Sequence, residues 1–493
     1  MACPDLPSTL SRRSLLRLAG ILAGTAGLGV LTACGSTTVT ATTSSAASSQ
    51  NSAVSSQVAG AGTATSQAST GAATSQASSA AATTSASVKA AGTGGNTIQI
   101  EYPVVGPQDQ VFVQIFDGFT KTGKGKATDV GATVDFDHYA ETVALNIASG
   151  TAPDIIYSHP NWFSSFAGKG LLTDLGSYIA SDKTFNLNDY YQGVLDYTRW
   201  FGKLFGLPYY SGPAVFYYNK TLLQKIGAAD PNDLEKQGKW DWQAFLDIAK
   251  QATVGVGAQK TWGATTLDST LAWLATWVWL GGGHFYNQDL TQSLLNSTQA
   301  IDALQFYVDL QLKYKVVPGS GEDNSGQDGF NKGRIAFVHS GRFQAPGIAQ
   351  AATGWEPGLA PVPKGPAGRH VRNGPNGWMI LSSSKAKDVA WEFLKYASSP
   401  AGEAPQLTNH GTCPVNQTVA SSKAYIDSLL PWENAAVYDQ AAQATQGYRA
   451  PVQLGQVQSA FNAVWKDVLS GKTTVTSAMN SFVDQANTVL KSS

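Results

Sequence analysis

The sequence predicts an α/β protein with two hydrophobic cores, each a mostly parallel sheet flanked by helices. Three observations predict it. The chain has 493 residues, more than one core ordinarily serves and enough for two. From Thr97 onward, short β-branched and aromatic runs alternate with segments of helical apolar spacing, the order that builds parallel sheets covered by helices. The same alternation restarts at Ala214, after the Gly206-Leu207-Pro208 segment, as the start of a second lobe.

Taken in order, Thr97–Tyr102 alternates and is a first strand. A helix follows over about 109–121. Thr133–Phe136 is expected as a second strand. Tyr139, Val143 and Ile147 recur at helical spacing, and Gly150 ends that helix. Asp154–Tyr157 is a third strand. In the second lobe, Ala214–Tyr218 is a strand. Helices are expected at about 242–251, 270–280 and 298–313, with strands at Ile335–Val338 and Met379–Leu381. Ala390, Phe393, Leu394 and Ala397 mark one helix face. Two final helices carry Val457, Ala460, Phe461, Val464 and Val468, then Val475, Ala478, Met479, Phe482, Val483 and Ala486. Stripes of this width face a core.

The N-terminus reads as an address. Ser11-Arg12-Arg13-Ser14-Leu15 precedes a short apolar, Gly-rich run from Leu18 to Leu31, the layout of an export signal with a twin-arginine pair. The run ends in Leu31-Thr32-Ala33-Cys34, which resembles a lipoprotein cleavage site. Residues 1–33 are therefore expected to be removed and Cys34 to carry lipid. An ordinary transmembrane helix would need a longer apolar stretch. Residues 34–95 are Ser, Thr, Ala, Gln and Gly with near-repeats such as Ala64–Ser69 and Ala73–Ser78. Such a segment buries too little to offset its ordering entropy and is expected to be a disordered tether, with an r.m.s. span on the order of 40 Å.

Composition excludes several classes. The formal net charge is −1, so no basic field points to nucleic acid. Of the cysteines Cys3, Cys34 and Cys413, only Cys413 remains in the folded part, which removes internal disulfides and cysteine metal sites. The histidines, His138, His159, His284, His339, His370 and His410, are scattered without ligand spacing. No Gly-x-Ser-x-Gly elbow, His-Glu-x-x-His or Walker loop occurs. No catalytic residue, metal or cofactor is expected. An extracellular hydrolase with carboxylates that meet only in space stays open as the weaker alternative.

Five blocks, in order, carry a family resemblance. They are Ala148–Ile156 running on to Phe166–Leu175, Gly202–Pro208 with Tyr217–Lys220, Lys332–Phe337, Ala390–Tyr396, and Leu469–Lys472. Together they resemble the extracellular solute-binding proteins of the maltose-binding type, the carbohydrate-uptake group of ABC importers, over about Ile98–Leu490. The resemblance implies a two-lobed periplasmic-binding-protein-like fold with ligand clamped between the lobes. Crossings would fall near Tyr209–Pro213, Gly377–Ile380 and Leu430–Ala435, giving a first lobe of 96–210 plus 380–432 and a second of 211–379 plus 433–493. It implies a lipid-anchored protein on the outer face of the membrane, expected to be monomeric. That protein would hand a small polar solute, a mono- or oligosaccharide, to permease subunits. A non-sugar polar solute such as a polyol phosphate, polyamine or peptide is the alternative.

Carried over position by position, the resemblance puts Asn161 and Trp162 at the cleft, where the maltose-binding protein has a carboxylate and an arginine. Asn161 is otherwise a helix cap and Trp162 otherwise packs in its own lobe. Phe343 falls where the family stacks an aromatic on a sugar ring, with Arg342 beside it as a forked donor. Tyr209 and Tyr210 sit where the lobes meet, and Asn376 and Trp378 at the second crossing. Trp273 and Trp277 share a helix face, at least one of them core. Tyr448, with Arg449, lies in a late loop. Ser211-Gly212 stand where the family has a carboxylate, so this cleft is less acidic and more aromatic.

Overall fold

The computed structural model describes residues 95–104, 108–131, 134–265, 270–319, 326–409 and 411–492. The export signal, Cys34 and the tether up to residue 94 lie outside the described residues.

In chain order, β1 (Thr97–Glu101), α1 (Gln108–Lys121), β2 (Lys126–Asp129), α2 (Tyr139–Ser149), β3 (Ile155–Ser158) and α3 (Phe163–Gly168) come first. A short hairpin of β4 (Arg199–Trp200) and β5 (Lys203–Leu204) leads into β6 (Gly206–Tyr210), then β7 (Val215–Asn219). Next are α4 (Trp242–Ala252), β8 (Trp262–Ala264), α5 (Leu271–Leu280), α6 (Thr298–Leu312), β9 (Ile335–Ser340), β10 (Pro357–Ala360) and β11 (Asn376–Ile380). The chain closes with α7 (Lys387–Ala397), α8 (Ala435–Gln443), α9 (Leu454–Leu469) and α10 (Val475–Leu490). Local chemistry sets several of these ends. Gly150 takes a left-handed φ of 72° and closes α2. Asp241 accepts the Ala244 N–H at 2.9 Å to start α4. Thr474 does the same for the Ser477 N–H at 3.1 Å in α10.

Two sheets organise the fold. The first runs β2-β1-β3-β11-β6 and the second β10-β7-β9-β8. The first core joins Ile98, Ile100, Ile156 and Leu207 of the sheet to Phe112 and Phe119 of α1 and Phe393 and Leu394 of α7. The second sheet is covered on both faces, and the strand period of two divides its residues. Phe216 and Phe337 face α5, α6, α9 and α10 through Trp277, Leu304, Phe461 and Phe482. Val215, Tyr217 and Val338 face the opposite side with Ile348, Val437 and Tyr438. The expected stripes on the last two helices therefore face core.

Three expectations need correction. The second strand is Lys126–Asp129, parallel to β1 in the register Thr97↔Lys126, and not Thr133–Phe136. An edge strand that is only partly buried needs no apolar alternation, so its sequence gives no signal; the apolar Phe136 instead packs on Trp162 at 4.7 Å. The sheets are mixed and not mostly parallel. β1 pairs β2 and β3 in parallel and β8 pairs β9 in parallel, whereas β11 is antiparallel to both β3 and β6, and β7 is antiparallel to β9 and β10. A strand returning after a long excursion through the other lobe is not bound by the short-crossover rule that fixes direction. Finally, β11 lies in the first sheet from Asn376 onward, and Leu429, Leu430 and Trp432 already pack on the second sheet's core. Both switches between lobes thus come earlier than 379/380 and 432/433.

The connecting segments run side by side. Ser211 and Cys413 exchange backbone hydrogen bonds at 2.7 and 2.9 Å, and Ala214 N–H donates to Arg372 O at 3.0 Å. Asn373, fully buried, accepts the Gly212 N–H at 2.9 Å and donates to Thr445 Oγ1 at 3.1 Å. β11 can lie against β6 only because residue 377 is glycine: a Cβ there would stand 2.2 Å from Leu207 O. That close approach carries Asn376 to the mouth between the sheets.

Candidate functional site: a cavity between two sheets

A cavity of about 990 Å³ opens where the two sheets face each other. Its first-lobe wall includes Phe136, Tyr157, His159, Asn161 and Tyr210, with Asn376 at the start of β11. Its second-lobe wall includes Trp273, Phe343, Arg372, Tyr448 and Gln458. The volume is in the range of small-molecule sites, and the mixture of flat apolar faces with a few polar groups is the usual lining.

The polar groups on the first-lobe wall are held in place. Tyr157 and Tyr210 hydroxyls meet at 3.2 Å. Asn376 Nδ2 donates to Tyr210 Oη and to Gly374 O, the latter at 3.2 Å. Asn376 Oδ1 is buried and has no partner, an acceptor available to a donor from the cavity. Asn161 is exposed beside it, its N–H on His159 Nδ1 at 3.1 Å.

On the opposite wall, β9 leads through Gly341 and Arg342 to Phe343, which is 54% exposed. Its ring folds back over residue 341, where a Cβ would meet ring carbons at 2.9 and 3.0 Å. The ring lies 6.2 Å from that of Trp273. The Arg372 guanidinium sits 4.0 Å over the Trp273 ring, a cation–π contact that fixes the indole plane.

His159 and His339 flank this region, and burial, with the charge of Arg372 second, pushes both imidazoles down to about 3. Unfolded, each returns to about 6.5. Below pH 6.5 the unfolded chain therefore binds protons the folded chain refuses, and stability falls as pH drops from about 6.5 toward 3, by at most about 1.4 kcal/mol per pH unit for each histidine. Glu403, whose carboxyl burial raises, acts with the opposite sign. The His159→Gln and His339→Gln variants are accordingly expected to melt less pH-dependently than the parent between pH 7 and 5 in calorimetry. Parallel melting curves would show that neither imidazole is held neutral.

Of the residues singled out from sequence, Asn161, Tyr210, Trp273, Phe343, Asn376 and Tyr448 line the cavity. Four do not. Arg342 is fully buried, its guanidinium paired with Glu433 at 3.0 and 3.1 Å and bonded to Thr412 O. Trp162 is buried behind the wall, its Nε1 donating to Tyr157 O at 3.1 Å and its ring against Phe136, Tyr139 and His159. Tyr209 and Trp378 stack at 5.5 Å inside the first core, where Trp378 also meets Phe112, Phe116 and Phe393. Their apolar area is worth more among these rings than in an open cleft. Trp277, the partner of Trp273 on α5, is core.

Phe136, His159 and Arg372 were missed. His159 carried a signal, since it directly follows β3, and ligands gather off strand C-terminal ends in open sheets. Arg372 lies in a connecting segment whose place only the tertiary fold reveals. Among the described residues, no group of three or more His, Cys, Asp or Glu is placed to hold a metal ion, and no helix is long and apolar enough to cross a membrane.

The family model for bacterial extracellular solute-binding proteins matches residues 102–404. The chain belongs to this family. A curated relative, the maltodextrin-binding protein MdxE of Bacillus subtilis, is 26% identical over 354 residues, 70% of this chain and 79% of the relative. Among solved structures, the cyclic alpha-maltosyl-1,6-maltose binding protein of Arthrobacter globiformis superposes with a TM-score of 0.68 at 21% identity, covering 80% of this chain and 99% of its own. The sugar-binding protein MalE of Xanthomonas citri gives 0.68 at 18% identity, covering 80% and 97%. At these identities the superpositions establish the two-lobed fold. The family consists of binding proteins, and the cavity between the lobes is where this chain presents its open aromatic faces and unsatisfied polar groups.

Proposed function

We propose that the chain is the substrate-binding lipoprotein of an ABC importer, capturing a mono- or oligosaccharide outside the cell and delivering it unchanged to a membrane permease. The observation that carries the sugar assignment is the pairing across one cavity of Trp273 and Phe343 with Tyr210 and the unsatisfied Asn376 Oδ1. Flat rings suit the C–H face of a pyranose, and the amide and phenol suit its hydroxyls. The maltodextrin named for the Bacillus relative makes malto-oligosaccharides the first candidates. The connecting segments at Ser211–Ala214 and Val371–Asn376 would serve as the hinge, and lobe closure would bring the two walls together on the ligand. An export signal over residues 1–33, lipid on Cys34 and a tether to about residue 95 would hold a monomer at the outer face of the membrane.

Thermal shift against a panel of glucose, maltose and longer malto-oligosaccharides, other mono- and disaccharides, amino acids, polyamines, peptides and polyol phosphates tests the assignment. A ligand that binds only the native state raises apparent stability. Carbohydrates are expected to stabilise the chain, with a smaller radius of gyration in X-ray scattering and the ligand recovered intact. Stabilisation by a non-sugar alone would overturn the sugar assignment, and no contraction would overturn closure. In cells, Cys34→Ser is expected to leave the membrane fraction; detergent-dependent extraction of that variant would contradict anchoring.

A further inference from the structure

A second cavity of about 380 Å³ lies inside the second lobe, at the C-terminal ends of β8 and β9. Trp273 and Phe343 line both it and the larger cavity, so these two rings form the wall the compartments share. Behind them the smaller cavity is walled by Trp277, Phe337 and Tyr307, with Thr265, Gln327, His339, Ser340 and Gln344 as polar groups. His339 stands at its centre of contacts, its ring 5.7 Å from Trp273, 5.9 Å from Trp277 and 5.4 Å from Phe216. Its Nε2 is buried and has no hydrogen-bond partner.

A buried ring nitrogen left without a partner is costly in a folded protein unless something occupies the space in front of it. The surroundings specify what. Aromatic walls on several sides with hydrogen-bonding side chains between them fit a single pyranose, one of whose hydroxyls reaches His339. Among the described residues the lining presents no side-chain charge to pair with an ion. The larger cavity alone falls at the top of the usual range for one small molecule, and the smaller one adjoins it at the Trp273–Phe343 wall.

We infer that the smaller cavity is a subsite for one terminal or branch glucosyl residue of a malto-oligosaccharide, reached past Phe343 and closed by His339. This deepens the carbohydrate reading and rests on it. The chain thereby selects longer or branched gluco-oligosaccharides over maltose, since only these span both compartments.

Isothermal titration of the full-length chain with maltose, maltotriose, maltotetraose and maltotriose bearing an α-1,6-glucosyl branch tests this. The parent is expected to bind at least one of the longer probes ten-fold or more tightly than maltose. His339→Phe, which fills the cavity and removes its polar group, and Gln344→Trp, which narrows it from a residue absent from the larger cavity, are each expected to reduce that preference at least five-fold while maltose binding stays within two-fold. A parent that binds all four probes equally overturns the inference. So do folded variants that weaken every probe alike or leave the preference intact. Should no malto-oligosaccharide bind while another carbohydrate does, the subsite assignment fails and the general sugar reading stands. Should no carbohydrate bind, both fail.

Discussion

Arg342→Ala is expected to destabilise the second lobe by about 3–5 kcal/mol, the cost of leaving one member of a buried ion pair without the other. Arg342 and Glu433 are both fully enclosed, with two parallel N–H···O contacts at 3.0 and 3.1 Å. The remaining lone pairs of Glu433 are used: Oε1 accepts from Tyr438 Oη at 2.6 Å and Oε2 from the Leu430 N–H at 2.8 Å. The guanidinium lies 5.3 and 5.4 Å from the rings of Tyr425 and Tyr438 and donates to Thr412 O. It thus ties the end of β9 to the segments around 412 and 425–438. Removing it strands the Glu433 carboxylate where water cannot reach. Denaturant unfolding followed by near-UV circular dichroism is expected to show a lowered midpoint for Arg342→Ala. The pair replacement Arg342→Met with Glu433→Leu should recover part of the loss, because it strands no charge. Saccharide affinity, measured on the fraction that remains folded, should change little. An unchanged midpoint together with lost binding would return Arg342 to the ligand site.

The sequence placed Arg342 beside ligand because it adjoins Phe343, and this neighbourhood shows what was legible and what was not. Position along the chain was legible. Periodicity found α1, α2, α5, α6, α7, α9 and α10 within a few residues of their ends, because each buries a stripe large enough to leave a pattern. The strand β1 was legible by its alternation, and β3, β7 and β9 as compact apolar runs. β2 was not, since Lys-Ala-Thr-Asp pairs by its backbone and buries little side chain. Strand direction was not legible either, because the long route from β10 to β11 through residues 361–375 imposes no handedness.

Side-chain direction within the site was the second limit. Tyr209 and Tyr210 are adjacent, so a strand must send them to opposite faces. Nothing local says which one meets the core, and it is Tyr209. Asn376 and Trp378 are two apart and by simple alternation would share a face. The register of β11 against β6 shifts between Asn376 and Gly377, a bulge that turns Asn376 to the cavity and leaves Trp378 in the core. Trp162 was misplaced for a similar reason: it immediately precedes α3, and the turn that leads into the helix packs its indole against His159, leaving the histidine on the wall. The cavity was found through residues that follow strand ends, and blurred wherever a single backbone turn decided between wall and core.

Trp273→Ala is expected to produce the largest loss of binding of any single substitution in the cavity, about 30- to 100-fold, or roughly 2–3 kcal/mol. The indole does three things at once. It offers a face to ligand in the larger cavity, and with Phe343 it forms the wall shared with the smaller one. It also carries the Arg372 guanidinium on its ring at 4.0 Å. Alanine removes the face, merges the compartments and takes away the ring under the Arg372 guanidinium. Phe343→Ala removes only one exposed ring whose support is mainly its own backbone turn, so about ten-fold is expected there. Trp273→Phe keeps a flat apolar surface and should fall between the two. Because Trp273 is only half-buried and stands at the margin of its core, its removal should lower the melting temperature less than Arg342→Ala does. Titration calorimetry with the most stabilising saccharide of the panel, paired with melting curves, separates the effects. A Trp273→Ala chain that binds within three-fold of the parent would show that ligand sits elsewhere between the lobes.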